Sequence, residues 1–331
     1  MKKNVLVTGG AGFMGSHITE ELIAMGCRVI ILDDLSGGSM ENIPSGAKFV
    51  KGSIVNRNSV EQIFKRNKIE YVYHLAAYAA EWLSHFIKRF NYMNNLIGSI
   101  NLLNAAVNHN VKCFVFTSSI AVYGTNQLPM KENITPHPED SYGIAKLSVE
   151  KELAISKELF GLDYVIFRPH NVYGERQNIG DKYRNVIGIF INQIMQGKPL
   201  TVFGDGKQTR AFTYIKDIAP IIARAPFKKQ ALNQIFNIGA DTPCTINQIA
   251  EQVMRVMGQK AAITYLKERK EVKHAYSDHQ KQKRVFGDKI KHSLYDGLSA
   301  MAEWAKKTRS RKSKTYKNIE IPKNLLQGDQ I

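Results

Sequence analysis

The sequence has few cysteines and no long apolar run. Its 331 residues include three cysteines, Cys27, Cys113 and Cys244, an odd number without C-x-x-C spacing. A disulfide framework or a cysteine-based metal site is therefore not expected, and we interpret all three as reduced core thiols of a cytoplasmic protein. No apolar stretch approaches the roughly 18 residues that a membrane-spanning helix needs. The sequence thus predicts no metal and no membrane association.

Acidic residues are also in short supply. The chain has 46 Lys and Arg against 29 Asp and Glu, a net charge of +17. A positive field favours anionic partners, and both nucleotides and nucleic acid meet that condition. Part of the excess lies in a basic tail, residues 305–331, which we interpret as a solvated and partly disordered end. Because the sequence has no basic patch interleaved with aromatic residues, a nucleic-acid partner is not favoured.

The first 170 residues alternate short apolar runs with amphipathic stretches. Apolar runs of this length are typical of strands buried on both faces of a parallel sheet. The predicted strands are 4–9, 28–33, 48–52, 71–76, 113–118 and 163–168. The predicted helices include 15–26, 57–67, 91–109 and 143–160. The fold class is therefore α/β, with a doubly wound parallel sheet of the Rossmann type.

The pattern changes after Pro169, where the sequence becomes rich in glycine and proline loops. Short helices are predicted at 186–196 and 245–257, and Pro220 is expected to kink or shorten any helix that contains it. We therefore expect three parts in the chain. These are a Rossmann domain at 1–170, a smaller α/β substrate-binding lobe at 171–304 with some segments returning to the first domain, and the basic tail at 305–331.

A glycine-rich turn, TGGAGFMG, follows the first predicted strand and opens the first helix. Gly10, Gly12 and Gly15 satisfy G-x-G-x-x-G, which lets a pyrophosphate approach the backbone and the free amides of a helix N-terminus. Asp33 ends the second strand at the expected distance, where a carboxylate accepts hydrogen bonds from the adenosine ribose. The sequence therefore predicts NAD rather than NADP. The alternative is that Asp33 and Asp34 only cap a helix.

The stretch SYGIAK places Tyr142 and Lys146 one helical turn apart. An ordinary tyrosine has a pKa near 10 and is a poor base at neutral pH. A nearby ammonium, an oxidised nicotinamide and a helix N-terminus would each favour the phenolate and lower that pKa. Ser118 and Ser119, at the end of the fifth strand, offer a hydroxyl to share the proton. We therefore interpret Tyr142 as an acid–base residue, although Y-x-x-x-K alone is common on ordinary helices.

Together these motifs resemble the extended short-chain dehydrogenase/reductase superfamily, and more narrowly its NAD-dependent nucleotide-sugar epimerases and dehydratases. The similarity covers about residues 1–300 and includes TGGAGFMGSH, NNLIGSINLL, TSSIAVYG, SYGIAK and RPHNVYG. It implies a Rossmann domain that holds NAD and a smaller lobe that binds a UDP-sugar. It also implies a homodimer formed through helices near 91–109 and 146–160.

The resemblance implies roles for individual residues. Tyr142 would be the base, Lys146 would tune it and hold the nicotinamide ribose, and Ser119 would hydrogen-bond the sugar. The positions implied for NAD are Gly9, Gly12, Phe13, Met14, Asp33, Ser53, Ile54, Leu75, Ala76, Ala77, Asn95, Tyr142 and Lys146. The positions implied for the substrate are Ser119, Asn171, Asn185, Val186, Phe203, Arg210 and Arg269. Without the family context, Arg210 could equally be a solvated arginine.

The reaction type depends on two residues after the predicted catalytic serine. Ile120 and Ala121 stand where related 4,6-dehydratases carry an Asp–Glu pair, and neither side chain can move a proton. The resemblance therefore implies NAD-dependent 4-epimerisation of a UDP-hexose, either UDP-glucose/UDP-galactose or the N-acetylated pair, through a 4-keto intermediate. Two alternatives remain open. One is an epimerase or decarboxylase acting on UDP-glucuronate or another NDP-sugar, and the other is a non-catalytic dinucleotide- or RNA-binding relative.

Overall fold

A computed structural model describes residues 2–287, 291–312 and 316–326. The strands are β1 Asn4–Thr8, β2 Arg28–Asp33, β3 Lys48–Lys51, β4 Tyr71–His74, β5 Cys113–Thr117, β6 Asp163–Pro169, β7 Val172–Tyr173, β8 Leu200–Phe203, β9 Thr209–Ala211, β10 Thr213–Tyr214, β11 Gln234–Ile238, β12 Pro243–Thr245, β13 Ile263–Leu266 and β14 His274–Ala275. The α-helices are α1 Phe13–Ala24, α2 Arg57–Asn67, α3 Glu81–Ser84, α4 Lys88–Tyr92, α5 Gly98–Asn108, α6 Ser141–Phe160, α7 Val186–Met195, α8 Ile215–Arg224, α9 Ile246–Met257, α10 Gln280–Phe286 and α11 Leu294–Thr308.

The centre of the molecule is a seven-stranded parallel sheet in the order β11-β6-β5-β4-β1-β2-β3. All six predicted strands belong to it, and the predicted Rossmann fold is confirmed. The seventh strand, β11, was not predicted because QIFNI is one short apolar run in a loop-rich region. The strand order reverses direction between β1 and β4, so the carboxyl ends of these strands form a crevice of the kind that binds dinucleotides.

The sheet is covered on both faces by helices. Alternate side chains of β1 point to opposite sides: Val5 and Val7 belong to the core that includes α1 and α8, and Leu6 belongs to the core beneath α2, α5 and α6. All three are fully buried. Burial on both faces explains why the strands read as continuous apolar runs.

Helix α8 comes from the C-terminal half of the sequence and packs against α1 of the Rossmann domain. Pro220 lies inside α8, yet the helix continues beyond it to Arg224. The proline therefore does not shorten the helix in the way the sequence allowed for. Proline removes one backbone hydrogen bond from a helix interior. Burial of Ile218, Ile221 and Ile222 in the core compensates for that loss.

Three short sheets build the smaller lobe. Strand β7 pairs with β10, β8 pairs with β13, and β9 lies between β12 and β14. Helices α7, α9 and α11 pack together against them. The predicted helices at 186–196 and 245–257 are confirmed as α7 and α9.

Residues 316–326 form a docked C-terminal segment that packs back onto the Rossmann domain beside α3 and α4. The apolar contact joins Tyr316, Ile319 and Leu325 of the segment to Ala80, Leu83, Phe86, Ile87 and Tyr183. The Glu320 carboxylate accepts hydrogen bonds from the backbone amides of Arg89 and Phe90, at 2.7 and 2.9 Å, in the first turn of α4. In this part of the tail Lys317 and Lys323 are exposed, as predicted for a solvated end, whereas Tyr316, Ile319 and Leu325 are half-buried against the domain.

The three cysteines are free; Cys113 is fully buried, and Cys27 and Cys244 are half-buried and pack against the edge of the core. Within residues 2–287, 291–312 and 316–326, no helix is long and apolar enough to cross a membrane. The same residues contain no group of three side chains suited to binding a metal ion.

Candidate active site

A deep cleft of about 790 Å³ lies between the carboxyl ends of the sheet strands and the smaller lobe. It brings together nearly all the residues that the sequence predicted for cofactor and substrate. Those that line it are Gly9, Gly12, Phe13, Met14, Asp33, Ser53, Ile54, Leu75, Ala76, Ala77, Ser119, Tyr142, Lys146, Asn171, Asn185, Val186, Phe203, Arg210 and Arg269.

Asn95 is the predicted residue that does not line the cleft. Its side chain is fully buried, where it accepts a hydrogen bond from the Tyr78 amide at 2.8 Å and donates one to the Tyr78 carbonyl at 3.1 Å. It also donates to Asn91 at 2.7 Å. A direct contact between Asn95 and NAD is therefore not supported. Asn95 instead fixes the loop after β4, whose Tyr78 does line the cleft.

The glycine-rich turn brings the backbone of three segments into close contact. Gly9 has a left-handed φ of +72°, and a Cβ at this position would lie 2.7 Å from the Ala76 amide nitrogen. A Cβ at Gly15 would lie 2.1 Å from the Gly9 carbonyl oxygen. Helix α1 begins directly after Gly12 without a side-chain cap. The amides of its first turn are thus available to a phosphate, and the turn fits the pyrophosphate of a dinucleotide.

Asp33 projects into the cleft from the end of β2. Its carboxylate accepts hydrogen bonds from the backbone amides of Ala11, at 3.0 Å, and Leu35, at 2.8 Å. Burial raises the pKa of Asp33, and these hydrogen bonds partly oppose the rise. The short helix that follows, Met40–Asn42, is capped by Ser39, so the helix-capping alternative for Asp33 is wrong. Its position fits a ribose-binding carboxylate next to the glycine-rich turn.

Tyr142, Lys146 and Ser119 meet where β5 ends and α6 begins. The three side chains are between 2% and 7% exposed and line the cleft. The Ser119 hydroxyl lies close enough to the Tyr142 phenol to lower its pKa, and the Lys146 Nζ lies 5.7 Å from the centre of the Tyr142 ring. The Lys146 amine also donates to the Thr117 carbonyl at 2.9 Å, which anchors it at the end of β5.

The protein alone does not acidify Tyr142, so that prediction is wrong for the chain without a cofactor. Burial raises the pKa of Tyr142, and the negative charges of Glu81 and Asp140 add to the effect. Asp140 caps α6 and accepts a hydrogen bond from the Gly143 amide at 2.8 Å, which offsets the favourable helix N-terminus. Burial also lowers the pKa of Lys146 to about 7, which weakens the expected ammonium.

Two arginines line the opposite wall of the cleft. The Arg210 guanidinium donates to the backbone carbonyls of Thr209, Val272 and Lys273, which fix its orientation. The Arg269 guanidinium stacks on Phe203, with 3.5 Å between its carbon and the ring centre. Positively charged groups held in this way are suited to bind phosphate.

Asn185 and Asn171 lie at the ends of short elements of the smaller lobe. The Asn185 side chain caps α7 by accepting from the Ile187 amide at 3.0 Å, and it donates to the Val172 carbonyl at 2.6 Å. Asn171 has a left-handed φ of +41°, uncommon for a residue other than glycine. Both asparagines line the cleft, so each backbone arrangement positions a polar side chain there.

Among the charged residues of the cleft that the sequence did not identify are Arg184 and Glu81. Arg184 lies over the Tyr78 ring at 4.7 Å and pairs with Asp181, and its guanidinium reaches Gly37 in the loop after β2. It therefore joins the smaller lobe to the dinucleotide half. The only signal for Arg184 in the sequence was that it directly precedes Asn185. No feature of the sequence pointed to Glu81.

A Rossmann sheet, a glycine-rich turn against a helix N-terminus and a serine–tyrosine–lysine cluster define a dinucleotide-dependent enzyme of the extended short-chain dehydrogenase/reductase superfamily. Within it, the chain belongs to the NAD dependent epimerase/dehydratase family, whose model matches residues 5–239. The predicted family and the predicted cofactor, NAD, are thereby confirmed.

Several solved structures of this family are similar to the chain. The UDP-glucose 4-epimerase of Thermotoga maritima, solved with UDP-glucose, is 37% identical, with 92% of this chain and 99% of that one covered and a TM-score of 0.86. The UDP-N-acetylglucosamine 4-epimerase of Methanobrevibacter ruminantium, in complex with UDP-N-acetylmuramic acid, is 35% identical (92% and 98% covered, TM-score 0.85). The UDP-glucose 4-epimerase of Thermus thermophilus, in complex with NAD, is 30% identical (91% and 98% covered, TM-score 0.86).

Proposed function

We propose that the protein catalyses the NAD-dependent 4-epimerisation of a UDP-hexose. The observation that carries this proposal is the cluster of Ser119, Tyr142 and Lys146, which faces the same cleft as the glycine-rich turn and the two arginines. The named activities of the similar enzymes support it, since each is a 4-epimerase of a UDP-sugar.

The residues of the chain have separable tasks in this reaction. Arg210 and Arg269 bind the diphosphate, and Ser119 orients the 4-hydroxyl group of the sugar. Tyr142 takes the hydroxyl proton on its phenolic oxygen and later returns it. When bound, NAD supplies the acceptor and donor of the C4 hydride and a positive charge on its oxidised ring. Because burial keeps Tyr142 a neutral phenol in the protein alone, its ionisation depends on charge brought into the cleft.

The experiment that tests this proposal is proton NMR of the purified protein with UDP-glucose, UDP-N-acetylglucosamine and UDP-glucuronate, without added NAD. A new anomeric signal from the 4-epimer identifies the sugar and shows that NAD is retained. An unchanged spectrum for all three sugars, with and without added NAD, would contradict the proposal.

The matched control is Tyr142→Phe, which removes the proton-transferring oxygen and keeps the ring. We expect turnover to fall by about 10²–10⁴-fold, the usual contribution of a positioned acid–base group. Circular dichroism and the bound NAD content should stay at wild-type values. Wild-type turnover in this variant would exclude Tyr142 as the base.

We also propose a homodimer formed through α6 and the segment before α5. The supporting observation is a set of exposed apolar side chains on these elements: Met93, Ile97, Ile144, Ile155, Leu159 and Phe160. Exposed apolar patches of this kind mark interfaces, and a second copy would cover the patch with the same residues. Light scattering should give twice the chain mass, and Leu159→Glu should shift it towards the monomer. A monomeric wild type at micromolar concentration would contradict this.

A cytoplasmic location is part of the proposal. The three unpaired cysteines support it, because a reducing compartment keeps thiols free. Fractionation of cells that produce the protein tests it, and recovery outside the cytoplasm would contradict it.

A further inference from the structure

A pair of buried histidines, His170 and His279, joins the central sheet to the smaller lobe, and the reaction above gives it no task. His170 directly follows β6, and His279 lies between β14 and α10. Each residue is 1% exposed, and the two Nε2 atoms are 3.0 Å apart. Buried polar groups of this kind are hydrogen-bonded in folded proteins. The partners of the four ring nitrogens therefore determine how many protons the pair carries.

Each Nδ1 atom makes its shortest hydrogen bond to an oxygen that only accepts. The His170 Nδ1 lies 2.8 Å from the Ala211 carbonyl oxygen, and the His279 Nδ1 lies 2.7 Å from the Asp241 carboxylate. Hydrogen bonds from His279 and Lys283 hold the pKa of Asp241 well below its usual range, so this carboxylate is ionised. Each Nδ1 must therefore carry a hydrogen.

The contact between the two Nε2 atoms requires one further hydrogen. Two nitrogen lone pairs repel each other at 3.0 Å, so one Nε2 must donate to the other. Three of the four ring nitrogens are then protonated, and the pair carries one positive charge. Burial and the charge of His279 lower the pKa of His170 to about 3, which favours His279 as the residue that holds the extra proton. The Ser277 hydroxyl, 3.1 Å from the His279 Nε2, can accept from the same hydrogen.

The positive charge of the pair is balanced by the elements that pack around it. Asp241 approaches from the loop after β11, and Lys283 of α10 binds the same carboxylate at 2.5 Å. Gly239 makes room for the His170 ring, because a Cβ at this position would lie 2.5 Å from the His170 Nε2. Asp241 thus stabilises the protonated pair, and Lys283 partly opposes that effect.

The pair is connected to two residues of the cleft. His170 directly precedes Asn171, and its hydrogen bond ends on Ala211, which directly follows Arg210. Asn171 and Arg210 both line the cleft. The left-handed φ of Asn171 persists only where its surroundings fix the chain. Through His170, the pair therefore fixes the spacing between the two segments that present Asn171 and Arg210.

We propose that the protonated pair of His170 and His279 is a positioning element for the UDP-sugar, and that loss of its proton weakens substrate binding. When the pair is neutral, the hydrogen bond between the two Nε2 atoms cannot form while both Nδ1 hydrogen bonds persist. The segments of Asn171 and Arg210 are then no longer held together from this side. The inference rests on the proposed function, in which Arg210 binds the diphosphate of the substrate.

The first test is nitrogen-15 NMR of the protein labelled at its histidine rings, at neutral pH. We expect one histidine with both ring nitrogens protonated, and one with a hydrogen on Nδ1 alone. The signals that are lost or shifted in His279→Gln assign the pair among the nine histidines of the chain. Two neutral rings at the pair would overturn the proposal.

The second test is the KM for the UDP-sugar that the protein converts, from neutral to alkaline pH. In the wild type, KM should rise with pH as the pair loses its proton. In His279→Leu, we expect KM at neutral pH to rise about tenfold, the effect of one hydrogen bond to a charged group. The kcat and the bound NAD should stay close to wild-type values. A purely structural role would instead reduce the fraction of active protein, which lowers kcat and leaves KM unchanged.

Further variants separate the charge of the pair from the shape of its rings. His279→Gln keeps an uncharged donor for the His170 Nε2, so KM should stay near the wild-type value at neutral pH and lose its pH dependence. Asp241→Asn removes the balancing charge and should move the rise in KM to lower pH. Because Asp241 is exposed, this variant tests the pH dependence even if His279→Leu does not fold. A rise that does not move would overturn the proposal.

The matched control is His292→Leu. His292 is another histidine bonded to an aspartate, with its Nδ1 2.8 Å from the Asp217 carboxylate. Its loss should leave KM and the pH dependence of KM unchanged. An equal rise in KM in His292→Leu and His279→Leu would show that the effect is not specific to the pair, and would overturn the proposal.

The possible failures can be told apart. A KM of His279→Leu equal to that of the wild type overturns the positioning role and leaves the proposed function standing. Absence of epimerisation with every UDP-sugar contradicts the proposed function. The Kd of UDP, measured by calorimetry in the wild type and His279→Leu, then decides this inference separately, because UDP carries the diphosphate that Arg210 binds. Weaker binding by the variant supports the inference, and equal Kd values overturn it.

Discussion

The cleft has two halves that are built in different ways. The dinucleotide half consists of strand ends and tight turns, such as Gly9, Gly15 and Asp33, whose positions follow directly from the sheet. The sugar-facing half is assembled from side chains far apart in the sequence, including Glu81 and Arg269. The structure of the dinucleotide half depends on how closely its backbone segments approach each other. The properties of the sugar-facing half depend on the balance of charges among its side chains. The two halves should therefore respond differently to substitution.

The largest loss of stability is expected when a methyl group is added to the glycine-rich turn. Gly9→Ala meets a left-handed φ and a clash at 2.7 Å with the Ala76 backbone. We expect a loss of about 1–2 kcal/mol from the φ and about 1–3 kcal/mol more from overpacking, together with weaker NAD binding. Urea unfolding and the NAD content of the purified protein measure both.

Gly26→Ala is the matched control for Gly9→Ala. Gly26 has a similar φ of +81°, but nothing lies within 4 Å of its Cβ position. It should show the backbone cost alone and keep NAD. Equal losses of stability and of NAD in Gly9→Ala and Gly26→Ala would mean that close backbone packing at Gly9 has no effect beyond the cost of the left-handed φ.

An intermediate change in the free energy of unfolding is expected on substitution of Lys146, which lies where the two halves of the cleft meet. Burial lowers its pKa in the folded protein to about 7, against about 10.4 in the unfolded chain. Between these values the unfolded chain binds more protons, so the wild type gains stability as the pH rises. At pH 7, Lys146→Met should therefore have a larger free energy of unfolding than the wild type. Between pH 7 and pH 9 this difference should decrease by about 2 kcal/mol.

The measurement for Lys146→Met is urea unfolding at both pH values, with turnover recorded in parallel. We expect the variant to lose activity while it gains stability, as is common for functional residues that are costly to bury. A margin that does not change with pH would show that Lys146 keeps its ordinary pKa.

The smallest loss of stability is expected where the docked C-terminal segment contacts α4, beside the sugar-facing half of the cleft. Glu320→Gln weakens two charge-assisted hydrogen bonds to the amides of Arg89 and Phe90. We expect a local loss of about 0.5–1 kcal/mol, seen as faster hydrogen exchange at these two amides. Glu152→Gln, at an exposed position on α6, is the control and should leave them unchanged. Unchanged exchange in Glu320→Gln would show that the docked segment does not stabilise α4.

Most of the dinucleotide half could be predicted from the sequence. The six strands, the helix that carries Tyr142 and Lys146, and the position of Asp33 all follow from local patterns. Local patterns suffice here because parallel strands place their carboxyl ends at one edge of the sheet. Asn95 is the exception, since its motif identifies a helix position but not whether the side chain faces the cleft or supports a loop.

The sugar-facing half could be predicted only in part. Arg210 and Arg269 were found by family resemblance, whereas Glu81 lies on a four-residue helix without periodicity. The direction of the pKa shift of Tyr142 was missed because it depends on burial and on Glu81 and Asp140, which only the fold brings close. Charge balance in a cleft is a property of long-range contacts, and a single sequence does not report it.

The docked C-terminal segment has a consequence for the order in which the protein folds and melts. The hydrogen bond from Arg89 to Glu320 joins residues 231 positions apart, so it can form only after the chain between them has compacted. The wall that carries Glu81 is thus completed late in folding. Interactions of this kind also open with less free energy than a buried sheet. On warming, the sugar-facing end should loosen while the sheet that holds the dinucleotide remains intact.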